Sequence, residues 1–290
     1  MRYLAPKTVE EATTLLAEHP GAKVFAGATD VIPQLKAGRP EPEALVDLKK
    51  ISQLVSVSDE GGHWSIGAAA ATAKLTGNKA LAAEFPGLVE AAGLIGSDQV
   101  QSRATLGGNL CNASPAADSV PAMIANGMRA VIAGPGGTRT AAVEDIPTGP
   151  GSTQLAAGEF IVSFELDHVP ARTGDAYLRL IPRTEMDIAV VGAGARITLD
   201  DAGNVAAATI AIGAVAPTAR RVPAAEAALV GNPINDQTLA AVAEAASAAC
   251  NPIDDKRGTI AYRRQVAGVL ARRAVVAAAE RAAARTNGGN

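Results

Sequence analysis

Hydrophobic and polar positions follow two different patterns along the chain, and the pattern changes near residue 171. In the first part, short apolar strands are mixed with short helices, whereas in the second part three strands precede three helices. Strands followed by helices, without strict alternation, are typical of the α+β class. For the first part the pattern predicts a helix that Thr8 caps and Pro20–Gly21 ends, followed by strands over 23–26, 44–48 and 63–68. It then predicts helical segments over 71–92, which are broken at Gly77 and at Pro86–Gly87. The last predicted elements of this part are a hairpin of 128–133 with 138–143 and a strand over 159–166.

The second part begins after a predicted linker that Pro170 and Gly174 bracket. Its first elements are strands, of which the second and third are joined by a tight hairpin turn at 200–203. Alanine-rich helices with charged stripes follow, and such helices pack closely on a sheet. The predicted elements are strands over 176–180, 188–199 and 205–214, then helices over about 223–230, 236–249 and 259–285.

A short glycine-containing segment, residues 27–30, follows the predicted strand over 23–26. It leads into a short helix through about Lys36, with Thr29 or Asp30 as the N-cap. The free N–H groups at such a helix start can bind a phosphate. The Asp30 carboxylate would repel a phosphate that came too near, so we expect it to cap the helix or to accept from a hydroxyl. An ordinary strand–helix turn explains the same residues.

A second polar segment, residues 105–118, combines two adjacent glycines, two asparagines, a serine, a proline and a carboxylate between apolar flanks. Adjacent glycines such as Gly107 and Gly108 allow positive φ and a close approach of the backbone to a ligand. Successive N–H groups in such a turn form an anion-binding concavity. Asp118 can accept hydrogen bonds from hydroxyls of a ribose or ribityl chain. A tight turn with Asx caps is the alternative interpretation.

Composition narrows the possible functions. The chain has 290 residues, 48% of them hydrophobic, and a net charge of -3, which indicates a globular protein without a basic face for nucleic acid. Cys111 and Cys250 fit a reducing compartment and are too few for the ~four thiolates of an iron–sulfur cluster. The three histidines are isolated, so no zinc site is expected. No signal core and no run approaching the ~18 residues of a membrane span occur, so we expect a cytoplasmic protein.

Several short segments, taken in order, resemble the FAD-binding medium subunit of molybdenum hydroxylases, a family that includes xanthine dehydrogenases and aerobic carbon monoxide dehydrogenases. Each segment is a weak match by itself, but their order spans essentially the whole chain. The segments are 26–30, 105–109, 113–118, 183–189 and 255–264.

The resemblance implies two domains. One is an FAD-binding domain of the vanillyl-alcohol-oxidase (PCMH) type over 1–171, with lobes over about 1–57 and 58–171. The other is a smaller C-terminal domain over 172–290, with a three-stranded antiparallel sheet and helices.

The resemblance also implies which residues hold the cofactor. Both glycine segments would approach the FAD pyrophosphate, Asp118 and Arg179 would contact the cofactor, and Ile95 and Ile161 would lie near the flavin ring. Family members often have glycine where this chain has Ala28 and lysine where it has Arg179. If position 28 needs positive φ, its alanine costs about 1 kcal/mol or more. The implied cofactor-binding residues are Ala26, Gly27, Ala28, Thr29, Asp30, Ile95, Thr105, Gly107, Gly108, Asn109, Asp118, Ile161 and Arg179, and no catalytic residue or metal ligand is expected in this chain.

By the same resemblance, the chain would be the flavoprotein subunit of a heterotrimer or a dimer of heterotrimers. A large partner would hold the molybdenum cofactor, and a small partner would carry [2Fe–2S] clusters. This chain would pass electrons from those clusters through noncovalent FAD to an external acceptor. A stand-alone FAD-dependent oxidoreductase of the same fold is the alternative, and an apo scaffold in which the glycine segments are mere turns is another. Cys111 is expected to be a packing residue rather than a reactive thiol.

Overall fold

The N-terminal lobe is a parallel sheet in which Ala44–Asp47 lies between Arg2–Leu4 and Lys23–Phe25. In this computed structural model, which describes residues 1–285, the first helix begins after Thr8 as predicted, and the Thr8 hydroxyl accepts from the Glu11 N–H at 3.1 Å. Side chains of the second lobe complete the apolar core of this lobe. The elements are β1 (Arg2–Leu4), α1 (Val9–Glu18), β2 (Lys23–Phe25), α2 (Val31–Lys36) and β3 (Ala44–Asp47), followed by 3-10 turns at Leu48–Lys50 and Ser52–Val55.

The second lobe is a five-stranded antiparallel sheet with short helices packed on it. Its predicted hairpin forms, with Gly137 at φ +100° in the turn. The helical region breaks at Gly77 and at Pro86, as predicted, because proline lacks the N–H that would continue a helix. The elements are β4 (Val57–Asp59), β5 (His63–Gly67), α3 (Thr72–Thr76), α4 (Lys79–Glu84), α5 (Pro86–Gly93), α6 (Asp98–Gln101), α7 (Leu106–Cys111), α8 (Ser119–Ala125), β6 (Arg129–Gly134), β7 (Gly137–Ala142), β8 (Pro147–Gly149), β9 (Ser152–Thr153) and β10 (Phe160–Asp167), with a 3-10 turn at Val143–Asp145.

The C-terminal domain is an antiparallel sheet covered by helices, which confirms the α+β class. Its three long strands are those predicted, and a two-residue strand joins the sheet as a fourth. Small alanine side chains on the last helix let it pack closely on the sheet. Residues 286–290 of the predicted domain lie outside the described residues. The elements are β11 (Thr173–Leu180), β12 (Val191–Leu199), β13 (Val205–Gly213), β14 (Arg220–Arg221), α9 (Pro223–Leu229), α10 (Asp236–Ala248) and α11 (Ile260–Ala284).

The structure differs from the predicted elements mainly where an element is short. The apolar pattern does not reveal β1, β4, α6, α7, α8, β8, β9 or β14, because two to seven residues carry too little periodicity to stand out. The strand predicted from residue 188 begins at Val191, and β11 already begins at Thr173, inside the predicted linker. Among the helices within residues 1–285, none combines the length and the apolar character that a membrane crossing requires.

A buried carboxylate joins the N-terminal domain to the C-terminal domain. Asp175, in β11, accepts from the N–H groups of Gly87 at 3.0 Å and Leu88 at 2.9 Å, both in the first turn of α5. It also accepts from Asn126 Nδ2 at 2.8 Å. One side chain of the second domain therefore satisfies helix-start donors of the first.

His168 makes stability depend on pH, because it bridges two carboxylates at the end of β10. Its Nδ1 lies 3.0 Å from Glu84 Oε1 and its Nε2 lies 3.1 Å from Asp59 Oδ1. Burial lowers the pKa of His168, but Glu84 and Asp59 outweigh that effect, so the pKa is raised. A raised pKa stabilises the fold fully below the ordinary value of about 6.5, and the stabilisation disappears as the pH rises through the folded value.

We therefore expect the free energy of unfolding to fall more steeply between about pH 6 and about pH 9 in the wild type than in His168→Gln. The difference should be at most about 1 kcal/mol, because the pair is partly solvated. Urea denaturation at both pH values measures this difference. If the free energy of unfolding fell equally with pH in His168→Gln and in the wild type, the prediction would be wrong.

Candidate cofactor site

A cleft of about 230 Å³ lies between the two lobes of the N-terminal domain. The end of β2, the segment after it, the start of α7 and part of β10 form its walls. The structure thus brings the two glycine segments of the sequence together, although about eighty residues separate them. The predicted residues that line the cleft are Ala26, Gly27, Ala28, Thr29, Asp30, Ile95, Thr105, Gly107, Gly108, Asn109 and Ile161, whereas Asp118 and Arg179 are not among its lining residues.

The first segment, residues 26–30, presents free backbone donors to the cleft. The N–H groups of Ala28, Thr29 and Asp30 donate to no atom within residues 1–285. Ala28 has φ +63°, so the chain turns through the left-handed region at this point. Successive N–H groups around such a turn form a concavity that binds anions. The segment is therefore suited to hold a phosphate group.

The second segment corrects the prediction of a positive-φ glycine loop. Gly107 and Gly108 lie in the first turn of α7, and neither has positive φ. Thr105 is the N-cap, and its hydroxyl accepts from the Gly108 N–H at 2.8 Å, which starts a helix here despite the glycines. Glycine is still needed at 107, because a Cβ there would lie 2.4 Å from the Ala68 carbonyl oxygen. Gly108 is exposed towards the cleft and leaves room beside the cap.

The first segment packs against the chain just before the second segment. A Cβ at Gly27 would lie 1.7 Å from the carbonyl oxygen of Arg103, just before α7. Within α2, Gln34 uses its Nε2 to donate to Asn112 Oδ1 at 2.9 Å. The backbone at Gly27 therefore lies against the backbone just before α7, and the Gln34–Asn112 hydrogen bond ties α2 to the C-terminal end of α7.

Asp30 is the N-cap residue of α2, one of the two predicted positions, but its side chain does not cap the helix. Its side chain makes no capping hydrogen bond, and its Oδ1 accepts from Asn112 Nδ2 at 3.3 Å instead. The reason is that Asp30 is already in helical conformation, which turns its carboxylate away from the N–H groups of the first turn. Burial raises the pKa of Asp30. Lys23 and Arg39 also line the cleft and supply positive charge.

Asp118 and Arg179 form a mostly buried ion pair between α8 and β11. Arg179 Nη1 lies 2.7 Å from Asp118 Oδ2, and the Tyr177 hydroxyl donates to Asp118 Oδ1 at 3.1 Å. Burial raises the pKa of Asp118, against the opposing effects of Arg179 and Tyr177. Tyr177 carries no distinguishing signal in the sequence, because a tyrosine in an alternating strand is typical of an ordinary core position. The predicted cofactor contacts of Asp118 and Arg179 remain predictions.

The remaining cleft residues are mainly apolar or serve packing. Ile95, Leu155 and Ile161 are apolar residues of the cleft lining. Burial raises the pKa of the Cys111 thiol to about 12, so the thiol stays protonated near neutral pH. Asn109 Oδ1 accepts from the Ser119 hydroxyl at 2.7 Å, which ties α7 to α8.

Comparison with known proteins identifies the family. Residues 1–169 match the family described as the FAD binding domain in molybdopterin dehydrogenase, and residues 176–278 match the CO dehydrogenase flavoprotein C-terminal domain. The chain belongs to this family of flavoprotein subunits. The family that the five sequence segments indicate is thereby confirmed, and the chain is an FAD-binding medium subunit of the molybdenum hydroxylase type.

Relatives match the flavoprotein subunit over almost its whole length. The carbon monoxide dehydrogenase medium chain of Hydrogenophaga pseudoflava is 35% identical and covers 97% of this chain and 98% of its own. The xanthine dehydrogenase FAD-binding subunit of Escherichia coli O157:H7 is 30% identical over 94% of each chain. A solved structure of carbon monoxide dehydrogenase from Hydrogenophaga pseudoflava, which lacks the Mo-pyranopterin moiety of the molybdenum cofactor, matches with a TM-score of 0.93 and 36% identity over 97% of this chain and 98% of that chain.

The chemistry of the cleft fits FAD. The unpartnered N–H groups of segment 26–30 and the two cleft cations suit a diphosphate, and apolar lining residues such as Ile95 and Ile161 suit a flat ring. The space over Gly108 is one that a larger side chain would fill. This fit rests on backbone donors, which the residue types alone do not reveal.

The left-handed conformation of Ala28 predicts that Ala28→Gly stabilises the flavoprotein subunit. Alanine at φ +63° costs about 1–2 kcal/mol, and glycine removes that strain at an entropic cost of about 0.5–1 kcal/mol. We expect a net gain of up to about 1 kcal/mol in the free energy of unfolding, measured by urea denaturation of the apoprotein. Ala142→Gly, at an ordinary φ of -63°, is the control and should lose stability. If Ala28→Gly lost as much free energy of unfolding as Ala142→Gly, the prediction would be wrong.

Proposed function

We propose that this flavoprotein subunit binds FAD noncovalently in the interlobe cleft and carries electrons from the iron–sulfur clusters of a partner subunit to an external acceptor. The observation that carries the proposal is the convergence of two distant glycine segments on one cleft with free backbone donors. The matches to carbon monoxide and xanthine dehydrogenase subunits over nearly the full chain support it.

The chain's own residues bind and orient the cofactor. Ala28, Thr29 and Asp30 present N–H groups to a diphosphate, and Lys23 and Arg39 balance its charge. Ile95 and Ile161 offer an apolar surface to the ring. The Asp118–Arg179 pair lies where the C-terminal domain meets α8, and we propose that it contacts the cofactor from that side. Ala26, Gly27, Thr105, Gly107, Gly108 and Asn109 shape the cleft.

When bound, FAD supplies chemistry that couples one-electron donors to a two-electron acceptor. The chain's task is therefore to hold and tune the group, and it requires no acid or base of its own. Of the titratable groups that line the cleft, Cys111 is protonated and Asp30 is engaged by Asn112. We propose partners for the substrate reaction: a large subunit with the molybdenum cofactor and a small subunit with [2Fe–2S] clusters, in a heterotrimer or a dimer of heterotrimers in the cytoplasm.

Purification of the tagged chain from its own host tests this proposal. We expect a yellow complex with a cysteine-rich small chain and a large chain, both identified by mass spectrometry. Acid precipitation should release FAD into the supernatant, which chromatography distinguishes from FMN. Rapid reduction of the small chain's clusters should be followed by bleaching of the flavin absorbance.

Each other outcome has a definite meaning. A colourless chain without flavin would overturn the cofactor assignment and leave the cleft as a structural feature. Flavin in the acid pellet would overturn noncovalent binding. A yellow chain that purifies alone and turns over its own substrate would favour the stand-alone oxidoreductase.

A further inference from the structure

Lys49 lies directly behind the first glycine segment, and neither its position in the sequence nor the family resemblance draws attention to it. Its ammonium nitrogen is 2.7 Å from the carbonyl oxygen of Ala26 and 2.5 Å from Asp47 Oδ1. The same nitrogen lies 4.2 Å from the centroid of the Phe25 ring, a cation–π distance. Two hydrogen bonds and an aromatic face therefore hold the Lys49 ammonium in one place.

Asp47 anchors this arrangement from the core of the N-terminal lobe. It is 4% exposed and also accepts from the Tyr3 hydroxyl at 2.7 Å and from the Lys49 N–H at 3.0 Å. Burial would raise the pKa of Asp47, but the hydrogen bonds from Lys49 and Tyr3 outweigh it, so the pKa is lowered. A buried carboxylate held in this way stays charged and keeps the ammonium beside Ala26.

The hydrogen bond to Ala26 fixes the orientation of the next N–H group. In a planar trans peptide the C=O and the following N–H point in opposite directions. Because the Ala26 carbonyl points at Lys49, the Gly27 N–H points away from Lys49, and it has no partner within residues 1–285. Gly27 is thus the first of four successive residues whose N–H groups are left free beside the cleft.

We infer that Lys49 is a positioning residue for diphosphate binding: it orients the Ala26–Gly27 peptide so that the backbone donors of segment 27–30 face the ligand. The inference rests on the proposed FAD function of the cleft. Asp47 neutralises the Lys49 charge, and Lys49 is not among the residues that line the cleft, so the effect is one of geometry rather than of direct charge.

The test compares Lys49→Met with Lys50→Met, which removes the same charge from the adjacent, exposed position. Apoprotein is titrated with FAD and, separately, with riboflavin, which lacks the diphosphate, and flavin fluorescence reports binding. We expect Lys49→Met to weaken FAD binding about tenfold or more, because a charge-assisted hydrogen bond that orients the donors is lost. Riboflavin binding should change less than about twofold, and Lys50→Met should bind both ligands like the wild type.

Conservative variants separate positioning from folding. Lys49→Arg keeps donors for both Ala26 and Asp47 and should restore most of the FAD affinity. If Lys49→Met does not fold by far-UV circular dichroism, Lys49→Gln keeps one donor and should show a smaller loss that is again specific to FAD.

The results that overturn the inference are distinct from those that overturn the proposed function. Equal losses of FAD and riboflavin affinity would make Lys49 a general structural residue, and unchanged FAD affinity would remove any role for it. If Lys50→Met lost as much FAD affinity as Lys49→Met, the loss would be due to the removed charge and not to the orientation of the peptide. A wild-type chain that binds no FAD would overturn the proposed function itself.

Discussion

Gly27→Ala is expected to abolish tight FAD binding. The added Cβ would lie 1.7 Å from the carbonyl oxygen and 2.4 Å from the carbonyl carbon of Arg103. Both are backbone atoms, which cannot rotate away as a flexible side chain would. Gly27 and the backbone at Arg103, just before the second segment, must therefore move apart, and the cleft that both segments line must change its shape.

The expected size of the loss in FAD affinity follows from the free-energy cost of overpacking. Forcing an extra group into a packed contact costs about 1–3 kcal/mol, and a backbone contact lies at the upper end. We expect FAD affinity to fall about 100-fold, which corresponds to about 2.7 kcal/mol. Fluorescence titration of the apoprotein with FAD measures the loss, and far-UV circular dichroism checks that the fold remains.

Gly62→Ala is the matched control, because no atom lies within 4 Å of a Cβ at Gly62 and its φ is not in the left-handed region. It should bind FAD like the wild type. Gly108→Val acts from the cleft side, where a Cβ at Gly108 would meet Thr105 Oγ1 at 3.0 Å, and it should also lower FAD occupancy. If Gly27→Ala bound FAD as tightly as Gly62→Ala, the close approach of Gly27 to Arg103 would not determine the shape of the cleft.

The site could be predicted from the sequence where local chemistry marks it. Residues 26–30 and 105–109 interrupt an apolar pattern with glycine and small polar residues, and the structure places both on one cleft. The helix start at Thr8 and the turn at Gly137 are likewise set by a few neighbouring residues. Such local signals survive without any knowledge of tertiary contacts.

The features of the site that the sequence does not predict depend on contacts between residues that are distant along the chain. Gly107 and Gly108 are weak helix formers, and their helical conformation follows from the Thr105 cap and from packing against Ala68. Lys49 and Tyr177 look like an ordinary surface lysine and an ordinary core tyrosine until the fold places them beside Ala26 and Asp118. No spacing rule connects residues that meet only in the folded chain.

Asp118 and Arg179 connect the cleft region to the C-terminal domain. The pair is mostly buried, joins α8 to β11, and is fixed further by Tyr177. A few residues before Asp118, the carbonyl oxygen of Pro115 accepts from the Ala214 N–H at 2.7 Å. The predicted cofactor contacts at this point therefore require the two domains to be docked, so loosening the domain interface should also weaken FAD binding.

Asp175→Ala is expected to loosen that interface and to cost the largest amount of stability. It leaves three buried donors, the N–H groups of Gly87 and Leu88 and Asn126 Nδ2, without their acceptor. Asp175 is 3% exposed, so water does not replace the carboxylate easily. Each unsatisfied donor costs about 1–3 kcal/mol, and removing one partner of a buried charged network costs about 3–5 kcal/mol in total.

Urea denaturation should show a fall of about 3–5 kcal/mol in the free energy of unfolding for Asp175→Ala. Amide hydrogen exchange should accelerate first at Gly87 and Leu88, because these donors lose their partner. Asp201→Ala, in the exposed turn before β13, is the control and should change stability by less than about 0.5 kcal/mol. Asp175→Asn should lose nearly as much stability as Asp175→Ala. Its amide can accept through only one oxygen and turns its own NH2 donor towards the remaining donors. An Asp175→Ala variant as stable as Asp201→Ala would mean that packing of α5 on β11, and not this carboxylate, holds the two domains together.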